Sequence, residues 1–378
     1  MAGIYIHIPY CKQRCTYCDF HFSTNTKSVA EMIDSMELEI DSKKNFLKKK
    51  EIETIYIGGG TPSYINSKYI KTLLSKIFSS YKISEDAEVT IELNPDDVTK
   101  EKILELKDIG INRLSIGVQS FCDNDLKFMN RRHNAKQAYE SIIIAKENGI
   151  KNITIDLIYG SPLLTNENWK KNILKIQELD LCHFSAYALT VEPKTKLNYL
   201  IKSKKIKPLS DKKIEEQFKI LQKTSEELGF LHYEISSFCK QEQYSKHNTS
   251  YWNGKGYIGI GPSAHSFDGE KRQWNISHNA AYISKVKNKK KYFETEEIGL
   301  VDKYNEYIMT SLRTIWGIDY DFVLNNFNES INLNFKKMIK KWDDDGFIIN
   351  RNGNFTLSKN GMLIADAIAS DLFFIQNS

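Results

Sequence analysis

Between Ile4 and Leu228 the chain alternates, six times over, a run of strand length with a run of helical spacing. The strand-like runs are Ile4–Ile8, Thr54–Ile57, Glu88–Leu93, Arg113–Val118, Asn152–Leu157 and His183–Leu189. Helical periodicity follows each of them, over Ala30–Lys49, Ser67–Tyr81, Lys100–Ile109, Asn134–Asn148, Asn166–Leu179 and Asp211–Leu228. A chain that returns through a helix to each new strand builds a parallel sheet with right-handed crossovers. The fold class expected is α/β, either a parallel (β/α)6 barrel or an open parallel sheet.

Beyond these units, Tyr233–Ser236 reads as an added strand and Gly256–His265 as a glycine-rich loop. The stretch Asn288–Gly299 turns polar and lysine-rich, which places a linker there and divides the chain into residues 1–295 and 296–378. In the second unit Tyr304–Thr314 and Asn334–Asp344 read as helices, Ile348–Leu357 as a hairpin turning at Asn352-Gly353, and Lys359–Leu372 as a closing helix. That order suits a small, mainly helical, winged-helix-like domain. No cluster of Arg and Lys marks a recognition helix, so a structural or lid role is expected rather than DNA binding.

Length and composition set limits. At 378 residues and 41% hydrophobic content the chain can bury a barrel-sized core and a smaller one. The net charge of +5 is modest, and the lysine runs Lys48–Lys50 and Lys289–Lys291 stand among acidic residues, so no nucleic-acid partner is implied. No run is long and apolar enough to span a membrane, and Met1–Pro9 lacks the features of a signal peptide. A cytoplasmic location is expected.

Half of the six cysteines fall within eight residues, Cys11-Lys12-Gln13-Arg14-Cys15-Thr16-Tyr17-Cys18. Three thiolates on a cubane [4Fe-4S] cluster leave one iron open to a small chelating molecule. Zinc is the competing reading, because it takes four ligands and His7 or His21 offers the fourth. The remaining Cys122, Cys182 and Cys239 read as buried apolar residues, without a disulfide framework or a second cluster.

Parallel barrels carry their reactive groups at the carboxyl ends of the strands. Here the first strand leads into the cysteine loop and the second into Gly58-Gly59-Gly60-Thr61-Pro62, whose missing side chains allow close approach of a ligand or simply a tight turn. Glu92 closes the third strand, Gln119 follows the fourth with Arg131 on the loop beyond, and Asp156 lies in the fifth. One mouth would then hold a cluster, a glycine platform and several polar groups suited to a polar nucleotide.

The CxxxCxxC loop, the Gly59-Gly60-Thr61-Pro62 turn and the order of polar strand ends resemble the radical S-adenosylmethionine superfamily, in its oxygen-independent coproporphyrinogen oxidase branch. The resemblance runs across essentially the whole chain. It implies that Cys11, Cys15 and Cys18 ligate the cluster, and that Tyr5, Tyr17, Gly59, Gly60, Thr61, Glu92, Gln119, Arg131 and Asp156 contact S-adenosylmethionine. Ala188 and His265 fall near further contact positions.

Two departures from the oxidase pattern matter. The oxidase motif resembles CxxxCxxCxC, whereas Phe20 stands two residues after Cys18, and Tyr5 lies only six residues before Cys11, without an amino-terminal arm. Both features are similar to the sister group of heme chaperones, as is His247-Asn248-Thr249-Ser250-Tyr251-Trp252, which matches that group's HNxxYW motif. A neutral imidazole suits heme iron, and Tyr251 and Trp252 suit the flat face of a porphyrin; equally, His247 could cap a turn and Trp252 fill core. Gly259–Ser266 is expected to cross the barrel mouth, making His265 a second candidate ligand. The resemblance thus implies heme as cargo and respiratory-chain apoproteins as its acceptors, with homodimerisation open and no residue assigned a catalytic role. The rival activity is oxidative decarboxylation of coproporphyrinogen III to protoporphyrinogen IX.

Overall fold

A computed structural model describes residues 2–47 and 50–375. Met1, together with Lys48 and Lys49 of the first lysine run and first predicted helix, lies outside the described residues. Six strands stand side by side in chain order, all parallel: β1 (Ala2–Ile8), β2 (Ile52–Gly59), β3 (Ile83–Leu93), β4 (Arg113–Gln119), β5 (Ile153–Tyr159) and β6 (His183–Ala188). Past β6 the sheet gains β7 (Leu231–Glu234) and β8 (Ser237–Cys239), with β8 antiparallel to β6. On the opposite side β9 (Gly256–Ile260) runs parallel to β1, and β10 (His265–Phe267), β11 (Lys271–Asn275) and β12 (Phe293–Glu297) extend the sheet in antiparallel fashion. Because β1 pairs with β9 and not with β6, the curved sheet stays open as a partial barrel.

Two expectations change. The stretch read as a glycine-rich loop contains β9 and enters β10, since Tyr257, Ile258 and Ile260 supply strand residues between its glycines. The polar stretch read as a linker holds β12, whose exposed face explains its composition, so the division at 295/296 falls inside a strand.

The barrel helices are α1 (Val29–Ser42), α2 (Ser67–Ser80), α3 (Lys100–Asp108), α4 (Asp123–Phe128), α5 (Ala135–Glu147), α6 (Asn166–Glu178), α7 (Lys196–Lys202), α8 (Asp211–Glu227), α9 (Lys246–Trp252) and α10 (Asn279–Lys287). Asn66, Thr99, Asn134, Thr165 and Ser210 each accept a first-turn N–H, fixing where α2, α3, α5, α6 and α8 begin. Ile4, Ile6, Ile55, Ile57, Ile91, Leu114 and Ile116 form the buried face beneath these helices. The opposite, concave face is polar: Thr54, Thr90, Arg113, Ser115, Thr154, Asp156, His183 and Ser185 all occupy inward positions set by the strand register. Strand alternation thus separates an apolar layer from a polar lumen.

The chain then forms α11 (Leu300–Leu312), β13 (Ile318–Asp319), α12 (Tyr320–Asn326), α13 (Glu329–Asp344), β14 (Ile348–Arg351), β15 (Asn354–Leu357) and α14 (Ala365–Leu372). Helix, strand, two helices and a hairpin is the order of a winged helix, packed on its own core around Tyr304, Ile308, Phe335, Phe355 and Ile368. The hairpin turns at Asn352 and Gly353, with φ of 55° and 87°, as an Asn-Gly turn requires. Among the described residues no helix is long and apolar enough to cross a membrane.

A buried ion pair ties α1 to the sheet extension. Glu39, fully buried, accepts from Gly261 N (2.8 Å), Asn275 Nδ2 (2.7 Å) and the Tyr282 hydroxyl, and lies 2.9 Å from Lys43 Nζ. Lys43 also donates to Gly259 O at 2.9 Å. Lys43→Met leaves that carboxylate without a counter-charge, and the expected loss of stability is about 3–5 kcal/mol by denaturant unfolding. A loss under about 1 kcal/mol would mean that the neutral donors alone carry Glu39.

Candidate functional site

The cysteine loop leaves the carboxyl end of β1 and is held by backbone and amide bonds more than by its own side-chain packing. Cys11 N donates to Ser23 O (3.0 Å), Thr16 N to Met129 O (3.1 Å), Gln13 Nε2 to Asn130 O (2.5 Å) and Asn130 Nδ2 to Arg14 O (2.7 Å). Lys12 pairs with Asp97 and, at 3.3 Å, with Asp96. The loop therefore rests between the segment after β3 and the turn after α4.

All three cysteines line a hollow of about 470 Å³ at the strand ends. Thr61 Oγ1 donates to Cys11 Sγ (3.5 Å) and Arg131 to Cys15 Sγ (3.4 Å), so two sulfurs face donors that favour thiolate charge. Burial, with repulsion among the sulfurs, pushes the Cys11 thiol up to about 12 and raises Cys18 as well. A single zinc ion fits poorly. It needs its ligands within about 2.3 Å of one point, and among the described residues no three of His, Cys, Asp and Glu gather so closely. His7 is also engaged through both nitrogens, Nδ1 with the Tyr5 hydroxyl (3.2 Å) and Nε2 with His21 O (2.9 Å). Three spaced thiols beside a cation and a hydroxyl fit a larger cluster, which the chain would hold through Cys11, Cys15 and Cys18.

Tyr17, Gly59, Gly60, Thr61, Glu92, Gln119, Arg131, Asp156 and Ala188 line the same hollow. The glycines are explained by close packing: Gly59 has φ +108°, and a Cβ on it would stand 2.7 Å from His7 Nδ1, while one on Gly60 would stand 2.7 Å from Tyr10 O. Their first role is to bring the β2 turn against the cysteine loop, where Gly60 N donates to Ile8 O and Thr61 N to Tyr10 O. Gln119 adopts φ 67°, which bends the chain as β4 ends.

Glu92 accepts from the Tyr56 hydroxyl (2.9 Å) and Gly59 N (3.1 Å). Burial raises it to about 7, against those bonds, and burial raises Asp156 to about 6 despite Arg113 nearby. The site thus holds two carboxyls poised near neutrality. Sequence reasoning missed Asn94, which accepts from Arg131 (2.5 Å) and donates to Thr61 Oγ1 (3.0 Å), linking the cation to the β2 turn. Its only signal was its place two residues after Glu92.

Tyr5 and the two histidines lie elsewhere. Tyr5 stacks between Tyr56 and His247, at centroid distances of 6.1 and 6.5 Å. His247, 1% exposed, sits at the amino ends of the strands, where α9 closes the lumen and Glu88 accepts from the N–H groups of Lys246 and His247, both at 3.1 Å. Its Nδ1 meets Thr54 Oγ1 and its Nε2 the Tyr251 hydroxyl, each at 2.8 Å, and burial lowers it to about 3. No ring nitrogen of His247 is presented to a ligand in this arrangement. His265 does not cross the mouth as expected, because β10 carries it onto the sheet extension, where it lines a separate cleft. Cys122 and Cys182 are half-buried rather than buried, and only Cys239 is enclosed.

A carboxyl raised on folding binds more protons in the folded chain than in the unfolded one between about 4.5 and about 7, so its contribution to stability falls as pH rises through that window. Glu92→Gln is expected to stabilise the ligand-free protein at about pH 8 by roughly 1–3 kcal/mol, with the gain vanishing near pH 4.5. Denaturation midpoints across that range check it; a pH-independent difference would remove Glu92 as the titrating group.

Residues 5–176 match the radical SAM superfamily and residues 300–364 the HemN C-terminal domain. The chain is 33% identical over 371 residues to "Heme chaperone HemW" of Bacillus subtilis, covering 97% of this chain and 98% of the relative. It is 32% identical to "Radical S-adenosyl methionine domain-containing protein 1, mitochondrial" of Dictyostelium discoideum, covering 97% and 93%. Among solved structures, coproporphyrinogen III oxidase (HemN) from Escherichia coli superposes with a TM-score of 0.82 at 21% identity, over 98% of this chain and 90% of that one, which shows the shared fold. A radical SAM domain implies a [4Fe-4S] cluster and S-adenosylmethionine, in keeping with the three-cysteine hollow. The chain belongs to the HemW family of the radical S-adenosylmethionine superfamily.

Proposed function

We propose that this chain, acting in the cytoplasm, binds heme and passes it to apoproteins of the respiratory chain, and does not decarboxylate coproporphyrinogen III. The observation that supports this most is similarity over nearly the full length to relatives named heme chaperones. Phe20 adds to it. The side chain is 70% exposed at the rim of the mouth, where the oxidase pattern has a further cysteine.

In this reading Cys11, Cys15 and Cys18 hold the cluster and the strand ends hold S-adenosylmethionine. When bound, the pair supplies one-electron chemistry and a source of an adenosyl radical. The chain's own groups divide the binding. Glu92, when ionised, accepts from ribose hydroxyls or an ammonium, Arg131 and Gln119 offer donors for a carboxylate, and the aromatic Tyr17 closes the mouth against water. Asp156 gives a second acceptor deeper in the lumen, and Tyr5 supports the floor through its stack with Tyr56.

The test is an anaerobic assay of iron- and sulfide-reconstituted protein with reductant, S-adenosylmethionine and coproporphyrinogen III, beside a heme titration of the same sample. Heme binding without protoporphyrinogen formation is expected; decarboxylation in proportion to S-adenosylmethionine consumed would establish the oxidase instead. Cys15→Ser leaves two thiolates in the loop and is expected to lose the brown visible absorption of the cluster. Near-wild-type iron and sulfide in that variant would overturn the ligand set.

A further inference from the structure

A second hollow opens beside the barrel mouth, between the sheet extension and the small domain. It has a volume of about 1360 Å³, above the range of roughly 300–1,000 Å³ typical of small-molecule pockets. Tyr257 and Phe267 line it from β9 and β10, and Tyr307, Met309 and Phe322 from the small domain. Such opposed apolar and aromatic surfaces suit a flat, rigid, largely apolar ring.

We propose that this interdomain cleft is the heme site and that His265, rather than His247, is the axial ligand to iron. The assignment rests on the heme-binding reading above and deepens it.

The two histidines differ in what their ring nitrogens already do. Both nitrogens of His247 are hydrogen-bonded and the ring is enclosed beneath the lumen. His265 is exposed to the cleft, and neither of its ring nitrogens has a hydrogen-bond partner among the described residues. Its plane is fixed by stacking on Trp274 across the β10–β11 pair, with centroids 6.3 Å apart and an interplanar angle of 28°.

The rest of the HNxxYW segment agrees with this placement. Tyr251 and Trp252 reach the cleft wall while His247 does not, so the motif would contribute surface for the macrocycle and not the metal bond. Three cations stand at the same cleft: Arg272, paired with Glu306 at 2.8 Å, and Lys255 and Lys303, neither with an ion-pair partner among the described residues. They complement the two carboxylates of a porphyrin's propionates. Phe20, Gly59 and Glu92 line both this cleft and the cluster hollow, so a bound ring would abut the mouth where the S-adenosylmethionine site lies.

The experiment titrates hemin into the full chain and compares wild type, His265→Ala and His247→Gln by Soret absorption and EPR. His265→Ala is expected to weaken binding about tenfold or more and to lose the nitrogen-ligand signature, with millimolar imidazole restoring the wild-type spectrum. His247→Gln, which can keep hydrogen bonds to Thr54 and Tyr251, is expected to retain the wild-type spectrum. An unchanged spectrum and affinity in His265→Ala overturns the assignment alone. Wild-type protein that binds no hemin overturns the heme-binding reading, and the assignment with it.

Discussion

A parallel sheet that turns a polar face inward has to satisfy that face with its own groups or with a ligand. This constraint organises the barrel. At the amino ends of the strands the chain satisfies much of it internally, since Glu88 caps α9 and lies 3.7 Å from Arg113 Nε while His247 bridges Thr54 and Tyr251. The terminal nitrogens of Arg113 and Thr90 Oγ1 stay without a hydrogen-bond partner among the described residues. At the carboxyl ends it does so only in part, with Glu92 and Asp156 buried near their titration range and Arg131 leaving a buried Nε without a partner. One end is thereby a closed floor and the other a mouth prepared for a polar guest.

The cysteine loop depends on that mouth. Its backbone is tied to Ser23, Met129 and Asn130, and Lys12 docks on Asp96 and Asp97, so the three sulfurs are presented by neighbours from distant parts of the chain. Preorganisation of this kind is what a labile cluster needs from a protein. The interdomain cleft then adds a second guest site without disturbing the first, because the sheet continues past β1 through β9 and β10 instead of closing on β6. Phe20 stands where the two hollows meet.

The six strand and helix units were legible because each carries enough residues to display its period, as were the cysteine loop and the Asn352-Gly353 turn, which are contiguous in the chain. α4 and α7 were not, being six and seven residues long. β9 escaped because two glycines, Gly256 and Gly259, break its apolar alternation, and β12 because its outward face is charged. Most of the strand-end residues converge on one hollow, yet the contacts of Asn94 span 33 and 37 positions and the anchoring of Lys12 on Asp96 spans 84, which local pattern does not encode. His247 shows the limit most clearly: six residues identify its motif, but only the packing of α9 under the barrel reveals that its nitrogens are already in use.

The central claim is that three cysteines hold a four-iron cluster with one iron left for S-adenosylmethionine. Mössbauer spectroscopy of ⁵⁷Fe-reconstituted protein, before and after adding S-adenosylmethionine, tests it most directly. The account predicts about four irons per chain, with one of them alone changing its parameters when S-adenosylmethionine is added. Four irons that all stay unchanged, or a colourless protein that takes up zinc in place of iron, would contradict it.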